Sequence, residues 1–238
     1  MAEKSLIEWT DATWNPWHGC IKVSPGCKHC YMYRGKLRYG KDPRIVSRSR
    51  TTFYDPLGWN KPRHIFACSW SDWFIEEADQ WRDEAWEVIR STPHHTYQIL
   101  TKRPDRVIPN LPHDWNGGWQ NVWLGVSIET QNYLFRKEIL RSISSMTRFI
   151  SAEPLLGPID LQSLDGIHWV ITGGESGPGA RPMNLDWVRS IRDQCLKHGV
   201  AFFHKQHGGT KMTDGTWGGR LLDNQQWNAM PQTSSILE

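Results

Sequence analysis

Between Gly19 and Tyr31 the chain reads GCIKVSPGCKHCY, and three of its five cysteines, Cys20, Cys27 and Cys30, fall inside that stretch. Thiols spaced so tightly point to a metal rather than to disulfides. A structural zinc ion closes with four protein ligands. Three thiolates leave one position open, and an open position is where chemistry happens. Gly19 and Gly26 give the loop freedom to bend its sulfurs toward one point, and Pro25 stiffens the six-residue gap between the first two. His18 and His29 keep a second reading open. Either could be a fourth ligand, closing a structural Cys3His zinc site in a nucleic-acid-binding or interaction protein without catalysis. Cys68 and Cys195 stand apart, and lone cysteines of that kind are small buried apolar residues.

Something must hold such a loop in place. Short apolar runs alternate with helical patterns along the chain. Strands are expected near 12–17 and at 64–69, 96–101, 121–127, 148–152, 168–172 and 200–205, with helices over 76–91, 132–143 and 185–199. Asn184 can cap the last helix and Gly199 can end it. The strands are rich in Val, Ile, Phe and Trp and read as buried on both faces. Strands alternating with helices imply parallel pairing through right-handed crossovers. The fold class expected is therefore α/β. It is a single domain over 1–238, a partial or complete parallel (β/α) TIM-type barrel, with the cysteine loop after its first strand and residues 206–238 as a tail packing on the barrel. The Pro- and Gly-rich segment from Arg103 to Gly118 reads as a surface loop.

In parallel barrels, reactive groups sit where strands end. Here the strand ends carry Ser69, Ser71 and Asp72; Thr101, Lys102 and Arg103; Ser127 and Glu129; Ser151 and Glu153; Gly173, Gly174 and Glu175; and His204, Lys205 and His207. Such a succession predicts one polar mouth with the cysteines at its rim. The competing use of these residues is to cap helices and to pair with one another.

Composition narrows the class. With 238 residues, 38% hydrophobic and 22% charged, the chain is a globular protein and not a disordered one. No apolar run of about eighteen residues exists, so no membrane contact is expected, and MAEKSLIEWTDATW lacks the apolar core of a signal peptide. A cytoplasmic location, where thiols stay reduced, follows as an expectation. A net charge of +3 neither demands nor forbids a nucleic-acid partner. The chain holds 15 tryptophans. Trp59, Trp70, Trp73, Trp115, Trp119 and Trp123 fall in or near the loops over the expected mouth. Arg44, Arg48, Arg50, Lys61 and Arg63 form a basic segment after the cysteine loop. Together these could stack bases and contact phosphates, although core anchors and a solvated basic loop would use the same residue types.

The order of a strand, a three-cysteine loop and then alternating strands and helices resembles the radical S-adenosylmethionine superfamily. Its common spacing is C-x3-C-x2-C, whereas this chain has C-x6-C-x2-C. TWNPWHGC, SPGCKHCY, SAEPLLGPI, TGGESGPGARPM and WGGRLLDNQQWNAMP resemble, over almost the whole chain, a radical-S-adenosylmethionine-like family found in phage genomes and bacteria. SWSD, LTK and SIET are similar, more loosely, to the strand ends of spore photoproduct lyase, a DNA-repair member of the superfamily. The resemblance implies a radical S-adenosylmethionine enzyme with two cofactors, a 4Fe-4S cluster on Cys20, Cys27 and Cys30 and S-adenosylmethionine on the remaining iron. It further implies an electron donor such as flavodoxin or ferredoxin. It does not specify the substrate; the likeness to the lyase points to a nucleic-acid-related one.

On that resemblance, Asp72 with Ser69 and Ser71 is expected near the ammonium of S-adenosylmethionine. Ser127 and Arg136 are expected near its carboxylate and ribose, an Arg fork suiting a carboxylate. Gly173 and Gly174 would let backbone approach the adenine. Lys102, Glu129, Glu153 and Glu175 remain as candidate catalytic groups for substrate contact or proton transfer; a buried ion-pair network would use the same residues.

Overall fold

The computed structural model describes residues 4–232. Seven parallel strands form one sheet in strict sequence order: β1 (Ala12–Trp14), β2 (His64–Ala67), β3 (Thr96–Thr101), β4 (Val122–Ser127), β5 (Thr147–Ala152), β6 (Trp169–Gly173) and β7 (Ala201–Gln206). Consecutive parallel pairing curls the sheet into a half-barrel, with registers such as Thr13 on Phe66, Ile99 on Leu124 and Ser127 on Ser151. A closed barrel is not formed. Among the described residues β1 and β7 are the two sheet edges and do not pair, and β1 is only three residues long. The gap is covered by other chain segments: Trp9 lies edge-on to Trp169, Arg220 pairs with Glu8 at 2.7 Å, and Asn228 bridges to Phe203 of β7.

Four α-helices occur among the described residues: α1 (Tyr31–Arg38), α2 (Asp79–Arg90), α3 (Phe135–Ser142) and α4 (Leu185–His198). Strand side chains alternate between two cores, as a period of two requires. Ile65, Tyr97, Ile99, Leu124, Val126, Ile150 and Val170 join Trp86, Ile89, Leu140, Val188 and Ile191 on the helix side. Phe66, Trp123, Phe149, Trp169, Ile171 and Phe203 form a smaller, aromatic cluster on the concave side.

The boundaries expected from sequence shift for local reasons. β2 stops at Ala67, because Cys68 turns into the left-handed region at φ 61°. Short 3-10 turns at Glu76–Ala78 and Gln131–Tyr133 precede α2 and α3 proper. α4 matches expectation at both ends: the Asn184 side chain accepts the Asp186 N–H, and Gly199 takes φ 66°. The segment after Arg103 is more than a surface loop. Its turns at Pro104–Arg106 and Ile108–Asn110 stand in the β3–β4 crossover, and Trp115 from it is buried against Trp86 and Trp119.

α1 was not legible in the sequence, since Gly35 in its middle disfavours helix. Tertiary contacts hold it. Met32 is buried, a Cβ on Gly35 would come within 2.8 Å of the Trp70 ring, and Arg34 donates to the carbonyls of Ser176 and Pro178 at 2.8 and 3.3 Å. The described part of the tail lies on β7: His204 N–H donates to Trp227 O and Ala229 N–H to Phe202 O. Residues 233–238 of the expected tail lie outside the described residues.

Candidate functional site

The cysteine loop leaves β1 at the carboxyl end of the sheet. Trp17–His18 pairs antiparallel with Ser47–Arg48, and Gly19 then takes φ 105° while its N–H donates to Trp70 O at 3.0 Å. A side chain on Gly19 would strike the Ile45 carbonyl, so only glycine fits there. Cys20 N–H donates to Pro43 O at 2.9 Å. Cys27 closes the 3-10 turn Pro25–Cys27, and Cys30 directly precedes α1.

All three thiols are half-buried and free of disulfides, while Cys68 and Cys195 are free and fully buried. Arg103 Nη1 lies 3.9 Å from Cys20 Sγ, and Ser24 Oγ lies 3.6 Å from Cys27 Sγ. The Tyr33 hydroxyl donates to Cys20 O at 2.6 Å; burial, then the charges of Cys20, Cys30 and Cys27, push that phenol up. Burial and the Asp72 charge push the Cys20 thiol up to about 12, against the Arg103 guanidinium. Among the described residues, no three His, Cys, Asp or Glu side chains converge as the ligands of a single ion must. His18 faces Trp70 edge-on, and the His29 ring lies where a Cβ on Gly179 would meet it.

Thiolates that bind separate irons of a cluster need not meet at one point, and Cys20, Cys27 and Cys30 are free to serve as thiolates. A closed Cys3His zinc site asks for a convergence that these side chains do not have.

The strand-end carboxylates tie the loop to the sheet. Glu129 is fully buried. Its Oε1 accepts from Ser24 Oγ at 2.5 Å and faces Lys102 Nζ at 3.4 Å, and its Oε2 accepts from Arg136 Nη1 at 2.9 Å. A Cβ on Gly26 would sit 2.5 Å from Glu129, so the loop rests directly on this carboxylate. Arg136 is buried, donates to Ser127 O at 2.8 Å and lies 4.3 Å from the Tyr133 ring centroid. Its charge is committed to Glu129.

Glu175 accepts two bonds from the Arg181 guanidinium, at 2.9 and 2.6 Å, and one from the Arg181 N–H at 3.0 Å. Burial pushes the Glu175 carboxyl up, but these bonds outweigh it and hold the group below the usual carboxylate range. The same Arg181 donates to Pro25 O at 3.0 Å, clasping the loop from the β6 side.

Asp72 accepts from Phe74 N–H, Thr101 Oγ1, Lys102 N–H and Arg103 Nη1 at 2.7–3.0 Å. Ser69 Oγ pairs with the Asn15 amide at 3.0 Å, and Ser71 Oγ donates to Gly19 O at 2.5 Å. Asp72, Ser69 and Ser71 therefore all hold the loop or its neighbours. Ser127, four residues after Trp123, and Ser151, two after Phe149, share the concave face with those rings. Glu153 accepts from Ser151 Oγ and pairs with Lys205 Nζ, both at 3.3 Å, with 16% of its side chain exposed. A Cβ on Gly173 would lie 2.5 Å from Glu153 Oε1, and one on Gly174 would strike the His207 carbonyl, so both glycines admit neighbouring parts of this chain.

Arg103, Arg181 and Lys205 carry contacts that the sequence did not assign. The signal for Arg181 was its place six residues after Glu175 in a glycine-rich turn; nothing local pairs Lys205 with Glu153. The tryptophans expected over the mouth are mostly core: Trp73, Trp115 and Trp123 are buried, and Trp59 and Trp119 pack against the main core. Arg44 is paired with Asp42 and Arg48 with Glu84, each at 2.8 Å. Among the described residues no helix is long and apolar enough to cross a membrane.

The model of one protein family, described as "Protein of unknown function (DUF5131)", matches residues 4–231. No curated protein and no solved structure matches the chain.

Proposed function

The chain belongs to the DUF5131 family, and from that premise we propose that it is a radical S-adenosylmethionine enzyme. The observation that carries this reading is the three free cysteines on a loop at the carboxyl end of a parallel half-barrel, braced by buried charge pairs from three strand ends. Cys20, Cys27 and Cys30 would hold a four-iron cluster. Bound there, it would supply the electron for reductive cleavage of S-adenosylmethionine.

The chain's own residues have separable parts in this function. Arg103 and Asp72 fix the Cys20 end of the loop, Ser24 and Glu129 its middle, and Arg181 and Glu175 the turn before Cys27. Because Asp72, Ser69, Ser71 and Arg136 already have partners, their task is to position the loop. Glu153 and Lys205, partly exposed on the concave side, are the groups available to the ammonium and carboxylate of S-adenosylmethionine. Ser127 and Ser151 flank them with hydroxyls. Lys102, with 21% of its side chain exposed, is left to face the substrate.

The test is anaerobic reconstitution followed by reduction with S-adenosylmethionine. Iron and sulfide near four per chain in the occupied fraction and formation of 5′-deoxyadenosine are expected, and Cys27→Ala should abolish that product. Stoichiometric zinc without sulfide, and no 5′-deoxyadenosine, would overturn the assignment.

A further inference from the structure

From Cys20 to Arg63 the chain carries eleven Lys and Arg against two acids, Asp42 and Asp55, although its overall charge is only +3. Asp42 is saturated by Arg44, which donates to both its oxygens. Among the described residues, Lys22, Lys28, Lys36, Arg38, Lys41 and Arg50 pair with no carboxylate. The excess positive charge is therefore not neutralised within the protein.

This charge is interleaved with exposed aromatic and apolar groups. Tyr39 is 73% exposed, and Tyr31, Leu37 and Ile45 are exposed as well. Lys36 and Lys41 line a cavity of about 230 Å³ with Ile45, Ser47 and Asp42, whose carboxylate is turned to Arg44. Burial, then the charge of Lys41, hold Lys36 below its usual range against the opposing pull of Asp42, a cost that a further anion in the cavity would relieve. The surface is continuous with the cysteines: α1 starts at the residue after Cys30, and Pro43 O accepts the Cys20 N–H.

We propose that α1 and the segment from Tyr39 to Arg50 bind single-stranded nucleic acid, with a phosphate in the Lys36–Lys41 cavity and a base stacked on Tyr39. Phosphate contacts need unpaired cations, and stacking needs an exposed ring with no sequence demand. A single strand is favoured over a duplex because its bases are free to stack. That this polymer is the substrate at the cysteines rests on the radical reading above; the binding itself does not.

The test uses the cluster-free protein and a fluorescent oligothymidylate of roughly fifteen nucleotides, within the span such surfaces cover. Anisotropy should show binding that weakens as salt rises. Lys36→Gln with Lys41→Gln should lower the log–log salt slope by about 0.7, the value for one phosphate contact on a single strand. Tyr39→Ala should weaken binding by about five- to a hundredfold. Arg38→Gln, at an exposed position, should also reduce the slope, and Lys197→Gln on α4 should change nothing. Circular dichroism of each variant checks folding. Absence of binding at low salt, variants that bind as the wild type does, or equal competition by polyglutamate, the mark of an acidic-protein surface, would each overturn the proposal. Production of 5′-deoxyadenosine is measured separately, so failure of either idea is seen independently of the other.

Discussion

Glu129 shows how much one side chain does here. It is fully buried, yet it meets a hydroxyl, an ammonium and a guanidinium. Removing one member of a buried charged set leaves the others uncompensated, which typically costs about 3–5 kcal/mol. Glu129→Gln should therefore lower stability by about that amount in urea unfolding. Glu129→Gln combined with Arg136→Gln should cost less than the two single losses added, because the pair is coupled. Additivity of the two would show that they act independently. In the sequence Glu129 stood out only as a polar strand end. That it accepts from Ser24, 105 residues away, is a fact of the fold.

At the scale of elements, the cysteine loop is a strap held on both sides. Arg181 and Arg34 clasp it and α1 to the segment after β6, while Arg103 holds Ile21 O from the end of β3. A hydrogen bond involving a charged group contributes about 1.5–3 kcal/mol. Arg181→Met should therefore speed amide exchange over residues 24–31 by roughly tenfold or more while leaving exchange in β3 to β5 unchanged. Uniform acceleration through the sheet would mean that the clasp stabilises the whole fold and not the strap. The strands and three of the helices could be read from periodicity and capping residues. α1 could not, because its stability comes from Trp70 and from carbonyls more than a hundred residues distant.

For the molecule as a whole, His204 links stability to pH. It is fully buried on β7, its Nδ1 is 2.9 Å from Thr172 Oγ1, and burial, then His207 and Arg220, lowers its pKa to about 3. The unfolded chain, with an ordinary value near 6.5, binds that proton at a pH where the folded chain does not. Stability from this residue is thus complete above about pH 6.5 and declines as pH falls toward 3, by up to ~1.4 kcal/mol per pH unit. His204→Gln should be less stable than wild type at pH 7 and should show a flatter decline from pH 6.5 to 5. Parallel pH profiles for the two proteins would refute this.

The amino-acid sequence determined, on its own, that the fold is α/β, that seven short buried strands run in order, and that three thiols lie on a loop near the first. Those properties are local: side-chain periodicity, capping residues and spacing specify them without reference to distant residues. Tertiary structure alone decided that the sheet stops at a half-barrel and that Trp9 and the C-terminal segment cover its gap. It also decided that Asp72 and Arg136 brace the loop, and that the unpaired positive charge gathers along α1. Each of these depends on which groups meet across tens to hundreds of residues, and buried charges take whichever partner the fold brings within reach.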